Sequence, residues 1–129
     1  MANEAVLVDK MGEAINFEVA DGVGIEKGSF LSLKDARKAS GTIATADKCA
    51  GIAKREKIAG DGRTQLALYQ DGVFRVRASG AIPVGTEVQL SDDGAVNEVT
   101  ASQEASGATI GRALETAATG ENFHMRLRL

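Results

Sequence analysis

The passage Ala50–Tyr69, AGIAKREKIAGDGRTQLALY, has a second version at the end of the chain, in Gly107–Leu129, GATIGRALETAATGENFHMRLRL. Gly51, Ala53 and Gly60 reappear as Gly111, Ala113 and Gly120, a step of 60 residues. Upstream, Lys27–Leu33 is echoed from Val84 to Leu90. Gly28 maps to Gly85, Leu31 to Val88, Leu33 to Leu90 and Asp35 to Asp92, a step of 57 residues. Positions that face a core in one copy are apolar in the other. The chain therefore reads as two pseudo-repeats, about 27–80 and 84–129, each too small to close a core alone and each supplying part of a shared one.

The unit itself is β. Phe123, Met125, Leu127 and Leu129 alternate with His124, Arg126 and Arg128, and a period of two over seven residues is that of a half-buried strand. Ile15–Val19 alternates in the same way, and Leu31 and Leu33 are expected to share a face. Cys49–Ala53, Thr64–Tyr69, Val73–Ala78, Val84–Leu90 and Ala95–Thr100 complete a strand–turn–strand plan. Fifteen glycines against one proline supply the turns. Asp35–Ala39 has room for one helical turn, which is too short to stand alone. For the pair Thr64–Tyr69 and Val73–Ala78, a three-residue loop Gln70-Asp71-Gly72 predicts a hairpin with Leu68 opposite Phe74 and Leu66 opposite Val76. The fold expected is mainly β, an antiparallel β-sandwich or small β-barrel with an internal duplication and little helix.

At 129 residues one compact domain over 27–129 is expected, preceded by residues 1–26 as an arm or as its first strands. The core must come from Val, Ile, Leu and Ala, because aromatics make up only 4% of the chain. A net charge of −3 argues against a dedicated nucleic-acid binder. No apolar run approaches the ~20 residues of a membrane span, and the N-terminus has no signal-peptide pattern. Synthesis in a cytoplasm is expected.

Candidate chemistry is sparse. His124 is the one histidine and Cys49 the one cysteine, too few for a triad or a zinc site. Cys49 reads as a structural thiol. Asp61-Gly62 and Asp92-Asp93-Gly94 read as turns rather than metal sites, since neither spaces its oxygens as a calcium loop does. Gly22, Gly24 and Gly28 fail as a dinucleotide fingerprint, because a strand follows where a helix is required. No cofactor is implied. Two features point outward instead. Arg75, Arg77, Arg126 and Arg128 project from strand faces as a basic stripe, either a solvated face or a docking patch for an acidic surface or phosphate. Val6, Leu7 and Val8 form an apolar run that is either the first strand or an arm adding a strand to a neighbour.

Gly51-Ile52-Ala53 through Ala59-Gly60, Gly111–Glu115 through Ala118-Thr119-Gly120, and Val84-Gly85-Thr86 leading to Asp93-Gly94 together resemble the tailed-phage capsid decoration, or cement, proteins. The resemblance covers Lys27–Leu129, and the first copy departs from it at Lys54-Arg55. It implies a non-enzymatic structural virion protein. Such a protein would bind the exterior of an expanded capsid and bridge neighbouring major capsid proteins, commonly as a trimer. Residues 1–26 lie outside the resemblance, and on this reading the apolar run Val6, Leu7 and Val8 is the expected capsid contact. The alternative from another class is a carbohydrate-binding β-sandwich, which would need exposed aromatics such as Tyr69.

Overall fold

In a computed structural model, residues 4–10, 12–91, 94–99 and 108–129 are described. The Asp92-Asp93 half of one expected turn, Thr100 and the expected loop 101–107 lie outside them. Eleven strands follow in order: β1 (Val6–Lys10), β2 (Ile15–Glu18), β3 (Phe30–Asp35), β4 (Lys38–Ser40), β5 (Cys49–Ala53), β6 (Gln65–Tyr69), β7 (Asp71–Arg77), β8 (Glu87–Leu90), β9 (Val96–Glu98), β10 (Thr109–Ala113) and β11 (Asn122–Arg128). They form a closed five-stranded barrel, β2-β4-β3-β5-β6, and a six-stranded sheet, β1-β7-β11-β10-β8-β9. The mainly β expectation holds, and among the described residues there is no helix.

The hydrophobic pattern explains the two layers. Phe17, Val19, Leu31, Ala50, Leu66 and Leu68 cluster together as the barrel's core. Phe74, Val76, Phe123, Met125 and Leu127 line the inner face of the sheet and pack with Phe30 and Ile52 of the barrel. The first half of β3, Phe30–Ser32, and β5 are thus buried on both sides, which is why Cys49–Ala53 reads as an unbroken small-apolar run rather than an alternation. One shared core was expected. The cluster under the sheet is such a core, drawing on both copies, and a second cluster forms beside it because closing the barrel gives the first half an interior of its own.

Backbone contacts recur at the two sequence steps. Gly28 N–H donates to Ala53 O at 2.9 Å, as Gly85 N–H does to Ala113 O at 2.8 Å. Gly60 N–H donates to Asp21 O at 2.7 Å, as Gly120 N–H does to Ala78 O at 2.8 Å. Ile25 bridges Lys57 as Ile82 bridges Ala117.

Three local expectations are overturned. The β6–β7 hairpin does not form: Leu68 lies opposite Ile15 and Ala53, and Phe74 lies opposite Leu7 and Met125. The chain crosses at Gln70 from barrel to sheet, so the alternation is kept while each strand finds partners in a different layer. Asp35–Ala39 makes no helical turn. Arg37 takes a left-handed φ of 55°, Asp35 Oδ1 accepts Ala36 N–H at 2.7 Å, and a tight β3–β4 turn results. Leu31 and Leu33 do not share an environment either. The register shift between Leu31 and Ser32 leaves Leu31 fully buried and Leu33 42% exposed. Leu31→Ala is therefore expected to cost about 2–5 kcal/mol. Leu33→Ala should cost under about 1 kcal/mol, and urea titrations of both variants check the contrast.

Candidate functional site

The outward face of the six-stranded sheet carries the charges singled out in the sequence. On β7 the inward residues are Gly72, Phe74 and Val76; on β11 they are Phe123, Met125 and Leu127. Alternation then turns Asp71, Val73, Arg75 and Arg77 outward from β7, and Asn122, His124, Arg126 and Arg128 from β11. Because these strands are antiparallel neighbours, Arg75 lies opposite His124, Arg77 opposite Asn122, Arg126 opposite Val73 and Arg128 opposite Asp71. The four arginines form a diagonal band across two strands, not a straight stripe.

The register brings in a residue that the sequence reading missed. Reading straight across the sheet, Glu87 (β8) faces Arg112 (β10), Arg112 faces Arg126 (β11), Arg126 faces Val73 (β7) and Val73 faces Asp9 (β1). This row forms much of a groove of about 680 Å3, which also takes in Thr109, Leu114 and Arg128 but neither Arg75 nor Arg77. Arg126 Nε donates to Asp71 Oδ1 at 3.0 Å, and Arg112 stands 3.8 Å from Glu87 Oε1. His124 lies beside the groove, with Glu115 Oε1 3.1 Å from its Nδ1 and accepting its backbone N–H at 2.7 Å.

The apolar run divides. β1 is an edge strand of the sheet, and Ala5 N–H donates to Gly28 O at 2.9 Å, which ties it to the barrel. Leu7 packs on the core, whereas Val6 and Val8 are 42% and 46% exposed. The register shift between Leu7 and Asp9 bends the edge at Val8.

A second polar feature was not legible in the sequence. The Lys57 side chain is wholly buried, and its Nζ donates to Asp21 O at 2.8 Å, Ile58 O at 3.2 Å, Asp61 Oδ1 at 3.1 Å and Asp21 Oδ1 at 3.2 Å. Burial alone pushes its pKa down, but the hydrogen bonds and charges of Asp61 and Asp21 outweigh that and hold it above the usual lysine value. The Asp61 carboxyl is held below its usual value, first by the backbone N–H of Arg63 at 2.9 Å and further by Lys57. Asp61 is thus a turn residue, as expected, and also half of an ion-pair clamp between two loops. At the equivalent places, 57 and 60 residues further on, Ala78 and Ala117 stand where Asp21 and Lys57 do, and both are buried. The only legible sign was a charged residue where the repeat has alanine.

Cys49 is half-buried, and its pKa is pushed by burial up to about 12, so its thiol stays protonated at neutral pH. Among the described residues, no group of three His, Cys, Asp or Glu side chains is placed to hold a metal ion.

No curated protein matches this chain. Among solved structures, the head fiber gp8.5 N base of bacteriophage phi29 shares the fold, with a TM-score of 0.59 and 18% identity over 88% of this chain and 92% of that one. The sequence model for phage cement proteins matches residues 8–129, nearly the whole chain and both of its sheets. On that match, the chain belongs to the phage cement protein family.

Proposed function

We propose that this protein binds the outer surface of an expanded phage capsid and stabilises it by bridging neighbouring major capsid proteins, as a trimer and without catalysis. The observation that carries the reading is the match to phage cement proteins across residues 8–129. Its place is the virion exterior, after synthesis in the host cytoplasm. The physical basis is mass action. A ligand that binds only the expanded lattice stabilises that lattice by its differential affinity. The carbohydrate-binding alternative loses its support, because Phe17, Phe30, Phe74 and Phe123 are buried and Tyr69 is half-buried with its ring 5.6 Å from that of Phe74.

Co-sedimentation with undecorated heads tests the proposal. Saturable binding to expanded but not compact heads, at a fixed ratio to the major capsid protein, is expected. Binding to neither form ends the reading. Within it, the exposed pair on β1 is assigned to capsid contact. Deleting the whole strand would uncover the surface of Phe74 beneath Leu7, so surface substitutions give the cleaner test. Val6→Asp with Val8→Asp should weaken head binding by about tenfold or more. The same double variant should melt within a few degrees of wild type, since neither side chain is buried. Unchanged head binding would remove β1 from the contact.

A further inference from the structure

The groove on the sheet contains an arrangement that the isolated fold does not favour. Arg112 and Arg126 sit directly opposite each other on adjacent antiparallel strands. Like charges in that relation are destabilising. Arg128 adds a third guanidinium to the same groove. Asp71 compensates Arg126 from one side, while Glu87 reaches Arg112 only at 3.8 Å. The Arg112 side chain is 63% exposed. Three guanidinium groups against the carboxylates of Asp9 and Glu87 leave the groove's lining net positive in a chain of net charge −3, a place that favours negative charge from outside.

The groove also limits the shape of its occupant. Val73 and Leu114 contribute apolar surface among the arginines, and Leu114 is 46% exposed. The row from Glu87 to Asp9 crosses five strands, roughly 19 Å at the usual strand spacing, which is about the span of six residues of extended chain. A free phosphate would leave the apolar surface uncovered. Nucleic acid carries a charge at every unit and would set phosphates against Asp9 and Glu87 at the two ends of the row, where a peptide can place apolar residues instead. An extended protein segment carrying both carboxylates and apolar side chains satisfies both features.

We infer that this groove receives an extended acidic segment of the capsid partner, its carboxylates against Arg112, Arg126 and Arg128 and its apolar side chains on Val73 and Leu114. The inference rests on the capsid-binding reading and specifies the chemistry of one contact. Arginine suits the role because its planar guanidinium takes a carboxylate through two parallel hydrogen bonds. Arg126 is also tied to Asp71, so Arg112 and Arg128 are the residues to change.

The test uses the full chain and a fluorescent peptide of about ten residues alternating Glu and Val, long enough to span the row. Binding read by anisotropy is expected to be strong at low ionic strength and to fall several-fold between about 50 and 300 mM NaCl. Arg112→Gln with Arg128→Gln is expected to weaken it by about tenfold or more. The same variant should melt at or above the wild-type temperature, because a like-charge pair has been relieved. No peptide binding by wild type, equal binding by the double variant, equal binding of a Lys–Val peptide, or displacement by inorganic phosphate or single-stranded DNA would each overturn the inference. Co-sedimentation separates the two levels. If wild type and the double variant bind expanded heads alike, the groove is not the contact and the capsid reading stands. If wild type binds no heads, both fall.

Discussion

Gly111→Ala is expected to destabilise the protein by about 3–5 kcal/mol, a large part of the 5–15 kcal/mol that holds a typical domain together. A Cβ at this position would overlap the carbonyl oxygen of Arg126 and lie 2.7 Å from the Met125 terminal methyl. The overlap is with backbone, which cannot rotate away, so β10 would have to move off β11. That movement would loosen the pairing of Gly111, Arg112 and Ala113 with Leu127, Arg126 and Met125. It would also open the core under Met125, which is fully buried. Gly120→Ala is the control. It adds strain at a φ of 84° but meets no atom within 4 Å, and should cost about 1–2 kcal/mol. Urea titrations of the two variants decide the matter; equal losses would mean that close strand approach is not what requires glycine at 111. Gly51, one copy earlier, meets the same obstacle, since its Cβ would lie 2.5 Å from Tyr69 O.

Breaking the Lys57 clamp should have the next largest effect. Asp61→Asn leaves a buried ammonium with one carboxylate, Asp21, and a melting temperature about 5–10 °C below wild type is expected near neutral pH. The dependence on pH follows from the direction of each shift. Asp61 has a folded pKa below its usual 3.8, so its contribution is present above that value and is lost as pH falls through the folded pKa. Lys57 has a folded pKa above its usual 10.5, so its contribution is full below 10.5 and is lost as pH rises through the folded pKa. The gap between wild type and Asp61→Asn should therefore hold steady between these limits and close in strong acid. A gap that persists when Asp61 is protonated would show that its charge is not what matters. Lys57→Met tests the other half. The second copy packs alanine at the equivalent place, so the loop geometry tolerates an apolar residue. The loss should come from Asp21 and Asp61 facing each other without a cation.

Much of this was readable in the residues. The alternation of Phe123, Met125 and Leu127 named the inward face of β11, and that of Arg75, Arg77, Arg126 and Arg128 the outward face, because side-chain direction along a strand is local geometry. The repeated glycines marked equivalent places, although the reason for Gly51 and Gly111, a neighbouring carbonyl, is visible only in three dimensions. The candidate site was half legible. Arg126 and Arg128 were identified, but Arg112 was not, since nothing in GRALE tells which strand lies beside β10. Val6 and Val8 are exposed while Leu7 packs on the core, a split within the run that the sequence does not show because it depends on Phe74 across the strand pair.

What the sequence determined by itself is therefore everything that depends on near neighbours along the chain: strand identity, which face is apolar, where glycine is needed, and the presence of two similar units. Partner choice belonged to the tertiary structure. β6 and β7 carry a sound local hairpin signal, yet each buries more apolar surface by joining a different sheet, so the chain crosses at Gln70 and the signal yields. The same competition closes the first half into a barrel and seals Lys57 between two loops. It also sets Arg112 opposite Arg126, because a period of two specifies the face of a strand and leaves its neighbour to be decided by which arrangement fills both cores.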